Sequence, residues 1–152
     1  MRMKSTIFIL TNLLMFFSFN LMAEQKLASD EKASIINREV NPLEYSRGQR
    51  LFQLNCAVCH GKQGEGAPNW RMPDENGKSP APPLNGTGHT WHHSTSALVN
   101  VIKKGTGKIG GNMPAWKDKL TNSEIRLILT WIKAQWPDEL YTAWYNRFHQ
   151  NK

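Results

Sequence analysis

Cys56-Ala57-Val58-Cys59-His60 is the stretch of this chain whose residue types and spacing carry a definite chemistry. Two thiols two residues apart, with an imidazole directly after the second, form an attachment site for haem, each thiol adding to a vinyl group of the porphyrin. One turn of helix brings Cys56 and Cys59 to the same side of the chain and lets His60 project toward the iron. Other uses of such a pair lack something here. A structural zinc site wants four ligands, and these are the only cysteines in the sequence. Thioredoxin-type chemistry places its C-x-x-C beside a βαβ pattern, and no strand-rich alternation surrounds this one. A plain disulfide stays open in an exported protein, and the histidine that follows is what favours haem.

A second iron ligand has two candidates on dipeptide grounds, Met72-Pro73 and Met113-Pro114. A methionine fixed in a loop meets the requirement for a thioether ligand, and residue type alone leaves both open. His89, His92 and His93, gathered around Trp91, form another cluster. Imidazoles suit copper, so a copper-binding or metal-delivering module is the alternative function. The simpler account makes Trp91 an aromatic anchor with polar rings facing out, so that the stretch serves structure or a partner.

The elements that must position these groups are helical. Leu43, Tyr45, Gly48, Leu51, Phe52 and Cys56 recur at spacings of three and four, one apolar stripe on a helix running into the cysteine motif. Gly48 inside that helix costs about 1 kcal/mol against alanine, which predicts close approach of another helix. Residues 62–83 are rich in Gly, Pro, Asn and charge, and read as a long loop wrapped around the haem edge. A helix follows, capped by Ser94 or Thr95, with Leu98, Val101 and Ile102 on its buried side and Gly105 as its stop. Thr121-Asn122-Ser123-Glu124 is a capping box. Behind it Ile125, Ile128, Leu129 and Ile132 share one face, with Trp131 beside them, until Pro137 ends the helix. Asp138 to His149 reads as an extra aromatic helix with Leu140, Trp144 and Phe148 four apart.

At 152 residues the chain is one domain by length, and 39% hydrophobic content suits a small core completed by an apolar macrocycle. Arg2 and Lys4 precede an apolar run from Ile7 to Met22, which reads as an export signal over residues 1–23, with Ala23 before the cut. Leu21 is large for its place in a cleavage site, so an uncleaved membrane anchor is the alternative. Residues 24–41 read as a polar linker, 42–136 as the haem domain and 137–152 as a helical extension. Setting aside Arg2 and Lys4 lowers the formal charge from +7 to +5. With no Lys/Arg tract longer than two, that balance fits an acidic protein partner or solubility and excludes nucleic-acid binding.

The order of elements, a Gly48/Phe52 helix, Cys56-x-x-Cys59-His60-Gly61, Pro82-x-Leu84, a short helix, Met113-Pro114 and a capped last helix, resembles the class I c-type cytochromes over about residues 43 to 136. The resemblance implies an all-α fold packed around one covalently bound haem c, with first and last helices crossing at a glycine/aromatic contact. On the far side of that contact stands Trp131 or Ile132. It implies axial ligation by His60 and, since the family's ligand directly precedes its last helix, by Met113 rather than Met72. It gives Pro82 the carbonyl that holds the Nδ1 proton of His60. It implies an electron carrier rather than an enzyme in its own right, exported or periplasmic, acting freely or as a subunit of a larger oxidoreductase. The partners would be a protein donor and acceptor such as a membrane oxidase or dehydrogenase, and contact with the membrane would depend on an uncleaved N-terminus. The His89 to His93 stretch and the aromatic tail lie outside the minimal family pattern.

Two thioether links should survive denaturation, so acid-acetone extraction should leave the colour with the protein. Cys56→Ser or Cys59→Ser should abolish normal holoprotein and leave a largely unfolded chain. A well-folded, colourless Cys56→Ser protein would contradict a haem-centred fold.

Overall fold

The computed structural model describes residues 38 and 40–149, which belong to the compact unit Asn37–Lys152. The expected export signal and nearly all of the linker lie outside the described residues. Among the described residues five helices follow in order, α1 (Pro42–Asn55), α2 (Ala57–His60), α3 (Thr95–Lys104), α4 (Asn122–Ala134) and α5 (Asp138–His149), with 3-10 turns at Thr90–His92 and Gly107–Ile109 in the long loops that precede α3 and α4. Among the described residues the β structure is a single isolated bridge, Ser79 to Gly111, so the all-α expectation holds. No helix of the described residues is long and apolar enough to cross a membrane.

Local chemistry explains each boundary. Asn41 caps α1, its side-chain oxygen accepting from the amides of Leu43 and Glu44, while Pro42 occupies the first turn where no amide is needed. Of the two cap candidates for α3 it is Ser94 that accepts from the Ala97 amide, and Gly105 ends the helix at φ 69°. The Thr121/Glu124 box closes in both directions on α4.

The scaffold is fixed where α1 crosses α4. A Cβ on Gly48 would drive into the Leu127 carbonyl and stand 3.2 Å from the Trp131 Cβ, so only glycine admits this approach. Phe52, fully buried, lies against Trp131 with ring centroids 4.4 Å apart. Trp131 is therefore the aromatic partner at the crossing, and Ile132 belongs to the adjoining core with Leu98, Val99, Leu120, Ile125, Ile128 and Leu129.

Two apolar positions depart from the expected pattern. Leu43 is 66% exposed, because it sits in the first turn of α1, a full turn before the crossing. Val101 is 40% exposed while Val99 is buried. The inward face of α3 is centred on Leu98, Val99 and Ile102, and at about 100° per residue Val101 falls more than a quarter-turn off it.

α5 closes the far side. Trp144 packs edge-on against Trp136, both 2% exposed, with Tyr141, Tyr145 and Phe148 half-buried around them. Arg38 locks the α4–α5 corner. Its guanidinium donates to the carbonyls of Lys133 (2.8 Å) and Trp136 (2.6 Å), pairs with the Asp138 carboxylate, and lies 4.6 Å from the Tyr141 ring centre.

Gly48→Ala should destabilise the domain by about 1–3 kcal/mol, since the added methyl has backbone rather than a mobile side chain in its way. Thermal unfolding would register this, and an alanine variant as stable as the parent would contradict the close crossing.

Candidate functional site

The cysteine motif starts where α1 stops. The Cys56 amide bonds back to Phe52, and the amides of His60 and Gly61 close one helical turn on Cys56 and Ala57 at 2.9 Å each. That turn leaves Cys56 half-buried and Cys59 exposed, neither in a disulfide. Burial, with Cys59 adding to it, pushes the Cys56 thiol up to about 11. At neutral pH the free thiol therefore keeps its proton.

His60 is 8% exposed, and its Nδ1 lies 2.9 Å from the Pro82 carbonyl oxygen. A carbonyl oxygen can only accept, so Nδ1 carries the proton and the neutral ring presents its lone pair at Nε2. Burial holds the ring below the ordinary histidine value, opposed by the Pro82 bond, and so favours the neutral form that binds metals. Two free thiols beside an imidazole with its outer nitrogen unprotonated suit a haem held by two thioethers and one axial nitrogen.

Pro82 belongs to a strap, Pro82-Pro83-Leu84, that the loop of residues 62–81 presses into place. The Gly66 amide bonds the His60 carbonyl (2.8 Å), Ala67 bonds Ala81 (2.9 Å), and Leu84 bonds the buried Gly64 (2.7 Å). Gly66 sits at φ 80° with the Pro82–Pro83 backbone where a Cβ would be, so the loop can lie flat on the strap only with glycine there.

Met113 is gripped at both its backbone groups by one residue. Its amide donates to Thr106 Oγ1 (3.0 Å), and its carbonyl accepts from the Thr106 amide (2.9 Å). The preceding residue is tied across the domain. Asn112 Nδ2 donates to Asp74 (2.8 Å), whose carboxylate also takes the amides of Asn76 and Lys78 at 2.9 Å, and the Ser79 amide bonds Gly110 (2.8 Å). Met72 by contrast lies on a turn, 66% exposed.

The histidine stretch turns its rings outward. His89, His92 and His93 are exposed, Thr90 is buried and Trp91 half-buried. His92 meets the Trp91 ring edge-on at 3.9 Å, and His89 lies 5.7 Å from His93 and 6.0 Å from Trp70. Among the described residues no group of three or more His, Cys, Asp or Glu side chains could hold a metal ion, so the copper alternative gains no support. Thr106 and Asp74 were not singled out by sequence reasoning. Their partners lie 7 and 38 residues away, and no local pattern marks them.

Residues 44–132 match the family described as cytochrome c oxidase, cbb3-type, subunit III. Similar proteins include the cbb3-type cytochrome c oxidase subunit FixP of Bradyrhizobium diazoefficiens, 30% identical over 91 residues, which are 59% of this chain and 27% of that protein. Another is the cbb3-type cytochrome c oxidase subunit CcoP of Azospirillum brasilense, 28% identical over 99 residues, covering 65% of this chain and 31% of the relative. The chain thus spans less than a third of the length of either.

The matched region includes Met113 and its threonine grip, which can be tested apart from any ligand. Thr106→Val removes a hydrogen bond worth about 1 kcal/mol, so hydrogen exchange at the Met113 amide should quicken about fivefold, and Thr106→Ser should restore it. Equal exchange in all three proteins would show that the grip does not hold the loop.

Proposed function

The chain belongs to the cytochrome c oxidase, cbb3-type, subunit III family, a class I c-type cytochrome domain that binds haem and transfers electrons, and we propose that its haem is ligated by His60 and Met113. The observation that carries this reading is the His60–Pro82 bond, which fixes an imidazole tautomer with Nε2 free directly beside two unpaired thiols. Cys56 and Cys59 would hold the porphyrin by thioethers. When bound, the haem supplies an iron that alternates between ferric and ferrous states, and a thioether opposite an imidazole raises its potential by favouring the ferrous state.

The protein's part is to hold both axial residues so that little moves as charge changes. On one side Pro82 keeps the His60 proton at Nδ1 and so keeps the ring neutral and oriented. On the other, Thr106 and the Asp74–Asn112 tie limit where the Met113 loop can go. With His60 and Met113 both holding the iron, no position would be left for a substrate, and the domain would serve as a carrier rather than a catalyst.

Its partners would be a protein electron donor and acceptor. Its relatives are subunits of cbb3-type cytochrome c oxidases, which favours an acceptor in a membrane oxidase of that type, with this chain as one subunit or a detached carrier. Residues 1–23 would export the domain, and a retained anchor would keep it at the membrane surface.

Met113→Ala should abolish the weak near-red absorption band of the ferric protein and shift the iron toward the ferric state at a fixed potential, whereas Met72→Ala should change neither. Loss of the band in Met72→Ala, with Met113→Ala unaffected, would assign the ligand to Met72.

A further inference from the structure

The family match ends at residue 132, yet the chain continues through Trp136 into α5, and that continuation reaches back to the histidine strap. Three successive carbonyls of the strap each accept from a side chain of a different element. Pro82 accepts from His60 Nδ1 (2.9 Å), Pro83 from Thr90 Oγ1 (3.3 Å) and Leu84 from the indole N–H of Trp136 (2.8 Å). Prolines 82 and 83 have no amide hydrogen and φ fixed near −65°, so this piece of backbone is stiff and its orientation depends on what its carbonyls and its ends are bound to.

Trp136 is itself held on every side. Its carbonyl takes the Arg38 guanidinium, its ring meets Trp144 at 5.8 Å and 73°, and the Trp144 indole N–H donates to the His93 carbonyl (3.0 Å), next to the cap of α3. Beyond the strap, Gly86 at φ 102° lets Pro137 and Leu140 press close, a Cβ there falling 2.8 Å from the Pro137 ring. The extension thus grips the strap at Leu84 and braces the chain that leaves it.

We propose that Trp136, braced by α5, is a positioning residue for the histidine side of the haem: by anchoring Leu84 it aims the Pro82 carbonyl at His60 and sets the strength of that hydrogen bond. The proposal rests on the reading of His60 as an axial ligand. A stronger bond at Nδ1 makes Nε2 a more basic donor and favours ferric iron, so a slack strap favours the ferrous state.

The structure provides its own control in Trp131. It is equally buried, and its indole nitrogen has no hydrogen-bond partner among the described residues. Trp131→Phe and Trp136→Phe therefore trim similar buried rings, but only the second removes a bond to the strap. In full-length holoprotein, Trp136→Phe should move the iron severalfold toward the ferrous form at a fixed ambient potential. It should also speed exchange of the His60 Nδ1 proton, followed by NMR in the ferrous state, about tenfold. Trp131→Phe, which keeps a ring against Phe52 at the α1–α4 crossing, should change both far less, whatever it costs in thermal stability. Should Trp136→Phe yield too little holoprotein, Trp144→Phe, which removes the brace to His93, should act in the same direction more weakly. Unchanged potential and exchange in the strap-side variants, or equal changes in Trp131→Phe, would overturn the proposal. Absence of any haem-shifted His60 Nδ1 proton in the native protein would instead refute the ligand reading, and the clamp with it.

Discussion

The arrangement depends on one hydrogen bond, from His60 Nδ1 to the carbonyl of Pro82. It decides the tautomer, and the tautomer decides which nitrogen can bind iron. Much of the surrounding fold can be understood as what is needed to place a carbonyl from residue 82 against a ring from residue 60. α1 delivers His60 by running straight into the short turn α2, and the Gly48 crossing with α4 fixes where α1 ends. The loop between, unusually long for a compact domain, is held by glycines at 64 and 66 so that it can fold back onto the prolines.

The surroundings of His60 and of Met113, the two residues proposed as iron ligands, are built differently. The histidine side is stiff, made from consecutive prolines whose carbonyls are all engaged by buried or half-buried side chains. The methionine side is a glycine-rich strand of loop from Gly105 to Met113, held by Thr106 and by ties to Asp74 and Ser79. Glycine backbone loses more entropy on ordering, so discrete hydrogen bonds have to do here what packing does elsewhere.

The sequence made the centre of the site legible because its chemistry is local. Cys56, Cys59 and His60 fall within one helical turn, the Thr121/Glu124 box spans four residues, and a glycine inside a helix announces a close neighbour without naming it. Pro82 could be assigned only through the family resemblance, because its 2.9 Å contact with His60 Nδ1 spans 22 residues. Leu43 and Val101 were misplaced because apolar spacing marks a face and not how far the neighbouring element extends. Thr106, Asp74 and Trp136 escaped notice for another reason. Threonine and aspartate are ordinary loop residues, and the bond from the Trp136 indole to Leu84 spans 52 residues that no periodicity connects.

X-ray absorption at the iron edge of purified holoprotein is the most direct test of the central claim, that the iron lies between the imidazole of His60 and the thioether of Met113. The account predicts one sulfur and one histidine nitrogen on the axial positions in both oxidation states, with the sulfur lost in Met113→Ala. Two axial nitrogens, or an open position in the native protein, would contradict it.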